Sequence, residues 1–278
     1  MVMDLSAQMM QATVQLEQPL GDGTRTVGTG FLITETTPDG KPHTILVTAN
    51  HVFDKMPNQN ARIGYRFANP DGSWNYSPQT LKIRDAQGHA LWTHHPSRDV
   101  AAIAITAPPA FAKAAIPEDY LAADDTFSKY AVAAGDQMLT LGFPRGLAAN
   151  PAGFPILRAG RVASYPIAPA KIFPTFLLDF SVFPGNSGGP VFMSGPSRHA
   201  VDDKGQGGQD VEFIAGVLTQ QVELNSERLD IGIVTNARFI RETIALIKDP
   251  NAPVTEVASE SVISGAKAAS AEEAAQPE

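Results

Sequence analysis

Turn signals cut the body of this chain into short apolar runs, and that punctuation limits it to β-rich folds. Ala12–Gln18 alternates and ends at Gly21-Asp22-Gly23. Arg25–Thr34 and Thr44–Ala49 follow, joined across Pro38-Asp39-Gly40. Ala61–Phe67, Leu81–Arg84 and His89–Thr93 are further candidate strands, the last two divided by the turn Asp85–Gly88. Val100–Thr106 is a continuous apolar run. Gln137–Phe143, Ile156–Ser164, Phe173–Phe180, Val211–Gln221 and Ile231–Thr235 complete the set. Helical spacing occurs over Ala237–Lys248, where Phe239, Ile240, Ile244 and Ile247 recur at three and four. A shorter helix is expected to begin at Pro117. The 23 glycines and 22 prolines suit a chain with many turns. About a dozen strands and one terminal helix suit two barrels better than one.

Composition excludes several classes. With 278 residues and 43% hydrophobic content, the chain can bury a large core. It has no cysteine, so disulfides, thiol nucleophiles and cysteine-ligated metals are ruled out. A net charge of −8 argues against a nucleic-acid partner. No apolar stretch reaches the roughly 18 residues of a membrane helix. No Lys or Arg precedes Arg25, so the basic start of an export signal is missing. The expectation is a cytoplasmic protein if Met1 is native, or a periplasmic or secreted one if a signal was removed. Residues 1–11 read as a lead-in and 12–250 as the folded body, with a boundary between its halves near 107–136. Residues 251–278 read as a disordered acidic tail, rich in Ala, Ser and Glu, that cannot offset its ordering entropy.

The densest chemical signal is Phe183-Pro184-Gly185-Asn186-Ser187-Gly188-Gly189-Pro190. Glycines around one serine describe a backbone that turns tightly and lets something approach it. The N–H groups of Gly185 and Ser187 can point into one concavity and stabilise an oxyanion beside the Ser187 hydroxyl. A serine nucleophile needs a base. Of six histidines, His51 follows the strand Thr44–Ala49 and opens a short turn, a rigidly supported place for a base. His94 and His95 read as a solvated strand end, and His199 lies in a polar loop. The base needs an acid to hold its tautomer. Asp99 leads the apolar run Val100–Ile105, where partial burial demands a partner, either a histidine or Arg98. Asp54 and Asp85 look like turn residues.

These segments carry a resemblance. Gly28-Thr29-Gly30-Phe31-Leu32, Val47-Thr48-Ala49-Asn50-His51, Asp99-Val100-Ala101 and Gly185–Pro190 resemble trypsin-like serine peptidases of the chymotrypsin fold. The likeness is closest to bacterial HtrA-like members, and it runs from about Ala12 to Lys248. It implies an all-β fold of two packed six-stranded antiparallel barrels with a C-terminal helix. It implies a triad of His51, Asp99 and Ser187, an oxyanion hole at Gly185 and Ser187, and no metal or organic cofactor. By the same resemblance, Ser181 is the base of the primary substrate pocket, Thr219, Gln220 and Gln221 one wall, and Gly232 the back. No carboxylate stands at that base, so small to medium uncharged side chains are expected there. The implied partner is a protein or peptide substrate, in an oligomeric state the sequence leaves open. About 30 residues follow the helix, too few for a PDZ domain. Asn186 stands where digestive members have an aspartate that pairs with a new N-terminus, so activation by insertion is not expected. The α/β-hydrolase elbow fails on order, because its acid and histidine follow the serine. Two other functions remain open: a latent or inactive peptide-binding module on the same fold, and an esterase using the same triad.

Overall fold

A computed structural model describes residues 4–36, 42–196, 210–224, 227–254, 267–269 and 276–277. The fold is all-β of the chymotrypsin-like kind, with a C-terminal helix, as expected. After the helix α1 (Leu5–Ala12), the first sheet contains β1 (Thr13–Pro19), β2 (Thr24–Thr36), β3 (Pro42–Thr48), β4 (Asn60–Ala68), β5 (Trp74–Lys82), β6 (Thr93–His94) and β7 (Ala101–Ile105). A short helix α2 (Asn50–Asp54) follows β3. The strands run in the order β5-β4-β1-β2-β3-β7-β6. No ladder joins β5 to β6 among the described residues, so this barrel is open at that seam. Helix α3 (Pro109–Ala114), the short strand β8 (Ile116–Pro117) and helix α4 (Thr126–Lys129) lie along the crossing to the second half.

The second half is a closed barrel. Its strands are β9 (Gln137–Gly142), β10 (Ile156–Val162), β11 (Thr175–Asp179), β12 (Pro190–Pro196), β13 (Asp210–Leu224) and β14 (Glu227–Asn236). They run β12-β9-β10-β11-β14-β13, and β12 pairs β13 to close the ring. Closure removes the unpaired edges that an open sheet would present. Fully buried side chains include Leu16, Phe31 and Val47 in the first half and Met138, Phe176, Phe192 and Val234 in the second. At about 25 cal/mol per Å² of apolar surface, these packed cores dominate the stabilisation of a chain without disulfides. Most of the tail from Asn251 onward lies outside the described residues. Its described pieces, Lys267–Ala269 and Gln276–Pro277, run antiparallel to Gln221–Glu223 and to Thr24–Arg25.

Each terminal helix reaches across to the other half. Helix α5 (Ala237–Lys248) is capped by Asn236, whose side chain accepts from Arg238 N–H. It packs on β6 and β7 of the first sheet as well as on β13. His95 sits beneath it, fully buried rather than solvated as its place beside His94 suggested. Its Nε2 lies 3.0 Å from Glu242 Oε2, and its Nδ1 accepts the Ser97 N–H at 3.2 Å. At the other end, Leu5 N–H donates to Glu212 Oε1 of β13 at 3.1 Å, and Ser194 Oγ of β12 donates to Asp4 Oδ1 at 3.1 Å.

His95 makes stability depend on pH. Burial holds its pKa below the ordinary histidine value, helped by the neighbouring charges of Arg98 and His94 and opposed by Glu242. The folded protein therefore takes up this proton less readily than the unfolded chain does. Stability is present above the ordinary titration range, about 6.5, and is lost as pH falls through it toward the lower folded value. Melting temperature should drop as the buffer is taken from about pH 7.5 to about 5.5, and His95→Asn should shrink that drop. A His95→Asn variant with the parent's full pH slope would rule the imidazole out as the cause.

A buried cation was not apparent from the sequence. Arg66 of β4 is only 1% exposed. Its guanidinium donates to the carbonyls of Gln11 and Thr13 at 2.8 and 2.7 Å, to Met10 at 3.3 Å and to Gly153 at 3.0 Å. Its central carbon lies 4.8 Å from the Phe154 ring centre and 5.3 Å from that of Phe111.

Candidate active site

The site forms where the end of β3 meets the loop before β12. Ala49 ends the strand extension and leads into α2, so His51 is held in the first turn by the rigid strand behind it. Trp92 Nε1–H fixes the same turn by donating to Asn50 Oδ1 at 2.8 Å. The stretch before β7 brings up Asp99. One carboxylate oxygen accepts the His51 backbone N–H at 2.9 Å, and the other lies 2.6 Å from His51 Nδ1. This double grip sets both position and tilt of the imidazole. The ionised carboxylate can only accept, so Nδ1 carries the proton and Nε2 is left with a lone pair. Nε2 is buried and has no hydrogen-bond partner among the described residues. Arg98, the other candidate partner of Asp99, instead lies over the Phe239 ring. Asp54 accepts from Asn50, and Asp85 pairs with the exposed His89 across its own turn. His199 lies outside the described residues.

The serine loop packs against this strand end. Gly188 has φ +85°, and a Cβ there would sit 2.1 Å from Thr29 O, 2.2 Å from Thr48 Oγ1 and 3.1 Å from Ala49 N. No side chain fits, so glycine is what lets the loop lie flush on the strand leading to His51. Thr29 N–H of β2 donates to Ser187 O at 2.9 Å and pins the serine from the other side. Ser187 is 2% exposed.

Every carbonyl from Phe183 to Ser187 has a protein donor. Asn186 N–H donates to Phe183 O at 3.0 Å, closing a turn with Pro184 second and Gly185 third at φ +89°. That is the signature of a type II turn. Arg145 N–H takes Pro184 O at 2.6 Å and Gly189 N–H takes Asn186 O at 3.0 Å. Thr29 Oγ1–H takes Gly185 O at 2.6 Å. In a trans peptide the carbonyl and the next N–H point opposite ways. With Pro184 O turned onto Arg145, the Gly185 N–H faces away from it. The backbone N–H groups of Gly185 and Ser187 have no acceptor among the described residues.

Among known families, the model of the trypsin-like peptidase domain matches residues 28–195. The chain belongs to the trypsin-like peptidase family. The match covers both the β2 motif and the serine loop of this trypsin-like chain. Among solved structures, one of the HtrA-type protease AlgW with a tripeptide superposes with a TM-score of 0.51 at 17% identity, covering 89% of this chain. The trypsin-like chain spans only 64% of that AlgW chain. The active form of the Rv3671c protease from M. tuberculosis gives a TM-score of 0.48 at 18% identity, covering 91% of this chain and 88% of its own. No curated protein sequence matches. Among the described residues, no helix is long and apolar enough to cross a membrane, and no three acidic or histidine side chains converge as metal ligands.

Several of the residues expected around a primary pocket lie on adjacent strands. Gln221 of β13 lies opposite Gly232 of β14, which lies opposite Leu178 of β11. Phe180 N–H donates to Asp230 O at 3.0 Å, which holds Ser181 beside the same edge. Thr219 is buried, its hydroxyl donating to Ile233 O at 3.2 Å. The residues that fill the space in front of Gly232 were missed in the sequence. A Cβ on Gly232 would meet Phe180 Cε1 at 2.7 Å, Leu218 Cδ1 at 3.0 Å and Val182 Cγ2 at 3.1 Å. Arg158 of β10 donates to Ser181 O and lies over the Phe180 and Phe183 rings. Burial holds its pKa below the usual arginine value. Phe180 and Val182 flank Ser181 at alternate positions, the one sequence signal that could have marked them.

Proposed function

We propose that this chain is a serine endopeptidase acting through a covalent acyl-enzyme. The observation that carries the reading is the His51–Asp99 pair at 2.6 Å, with a buried, unpartnered Nε2 on the side of the imidazole away from the acid. In this mechanism Ser187 Oγ attacks the peptide carbonyl carbon while His51 Nε2 takes the hydroxyl proton. Asp99 keeps the imidazole in the required tautomer and stabilises the imidazolium. The developing oxyanion accepts from the Gly185 and Ser187 N–H groups, which supply about 10²–10³ in rate per donor. The imidazolium then protonates the leaving amine as the C–N bond breaks. Water repeats the sequence on the ester and releases Ser187.

The apolar filling in front of Gly232 favours small uncharged side chains N-terminal to the cut. A bulky residue would displace Phe180, and a buried Lys or Arg would find no carboxylate at Ser181. Two measurements test the reading together. A fluorophosphonate probe should label Ser187 stoichiometrically, which demands an activated nucleophile and separates the peptidase from an inactive peptide-binding module. A peptide-library profile should be dominated by Ala, Ser, Thr or Val at the cleaved position, at least tenfold above Arg or Lys. Absent labelling would sink the enzymatic assignment, and a profile led by Arg or Lys would sink the pocket. Activity on esters with none on peptides would favour the esterase instead.

A further inference from the structure

We infer that Thr29 is a positioning residue whose hydroxyl holds the Gly185 turn in the orientation that presents its N–H to the reacting carbonyl. The inference rests on the peptidase reading of the site. It starts from a weakness in the turn. Glycine populates positive and negative φ with similar ease, so nothing intrinsic to Gly185 keeps it at +89°. Rotating the Pro184–Gly185 peptide would turn the N–H away from the cleft and point a carbonyl into it. The orientation must be imposed from outside.

Two contacts impose it. Arg145 N–H holds the carbonyl before Gly185, and Thr29 Oγ1–H holds the carbonyl after it at 2.6 Å. The same hydroxyl accepts the Phe143 N–H at 3.2 Å. Phe143 lies two residues before Arg145, and its carbonyl takes the Gly146 N–H at 2.8 Å. One buried oxygen therefore bonds both the turn and the segment that supplies the turn's other anchor. Thr29 is 0% exposed, and its remaining polar groups are also bonded: its N–H to Ser187 O, its carbonyl to Thr48 Oγ1 at 2.7 Å. It stands on β2 of the first sheet, whereas Phe143 and Gly185 belong to the second barrel. The oxyanion donor is thus oriented across the interface, by a residue that touches neither substrate nor triad side chain.

Valine has the same shape and no hydroxyl. In Thr29→Val, the Gly185 carbonyl and the Phe143 N–H lose their buried partner, and a rotated peptide becomes competitive. The expected result is a fall in kcat of about tenfold to a thousandfold, up to the worth of one oxyanion donor, with KM within about threefold. Rates are read per active site, after titrating the nucleophile. Thr29→Ser keeps the hydroxyl and should stay within about threefold of the parent. A purely structural role would lower melting temperature in both variants and leave the rate per titrated site unchanged. A Thr29→Val kcat within threefold of the parent overturns the inference, as does a loss confined to KM or a loss that serine fails to rescue. If Thr29→Val does not fold, Thr29→Ala is judged by the same criteria. Failure of the parent itself to react with the fluorophosphonate rejects the peptidase reading, a different outcome from either.

Discussion

Replacing Ser187 with alanine is expected to lower kcat on a peptide substrate by about 10⁶ and to leave the fold intact. The size follows from the division of labour at the site. Without Oγ no acyl-enzyme forms, and the His51–Asp99 pair has no proton to remove. The oxyanion donors still bind a carbonyl, so about 10³–10⁴ over the uncatalysed reaction should survive. The fold should not suffer, because the Ser187 side chain makes no hydrogen bond among the described residues, while the backbone bonds of the loop do not depend on it. Melting temperature, kcat and covalent labelling measured on the same preparation decide the matter. Turnover within tenfold of the parent would remove Ser187 from the mechanism. An equal loss of melting temperature would make the activity loss uninterpretable as chemistry and count against the claim that the loop is held by its backbone alone.

Arg66→Ala should be the most destabilising single change outside the site, at about 3–5 kcal/mol, with a fall in melting temperature on the order of 10 °C. The guanidinium supplies donors to four carbonyls, three of them at the end of α1, where helical carbonyls lack partners of their own. Its charge also suits the negative end of that helix. Burial pushes its pKa down to about 10, still high enough to keep the cation at neutral pH. Truncation leaves a cavity between Phe111 and Phe154 and orphans those carbonyls together. Arg66→Lys should recover only part of the loss, since an ammonium is a compact charge without the planar fork. Urea unfolding gives the comparison directly, and an Arg66→Ala midpoint equal to the parent's would show that water replaces the guanidinium without cost.

The sequence disclosed the residues that meet at the candidate site more fully than it disclosed their supports. The helix Ala237–Lys248 was read to the residue, because its apolar positions hold one face over three turns. The serine loop and the strand ending at Ala49 were legible because their residue types are demanded by close backbone approach. Strand β5 was missed. It exposes both faces along most of Trp74–Lys82 and so lacks alternation. Strand β12 was hidden because it starts at Pro190, which suits the first position of a strand but reads as loop beside three glycines. Arg66 and His95 are polar residues buried by elements distant in sequence, α1 and α5, and no local pattern encodes such partners. The apolar side chains in front of Gly232 were missed for the same reason: Phe180, Val182 and Leu218 look like ordinary strand residues until β11, β13 and β14 are brought together.

The two terminal helices bear on how the molecule is held as one body. The segment at the start of the chain is bonded to β12 and β13 of the second barrel, and the helix that follows the second barrel lies on β6 and β7 of the first. Each half thus keeps hold of an element contributed by the other. Pulling the barrels apart would require both of these contacts to part, at opposite ends of the chain. The covalent connection between the halves is therefore reinforced at both ends of the chain. A break in its peptide backbone would leave two fragments still interlocked, and the junction on which Thr29 meets Gly185 would stay closed.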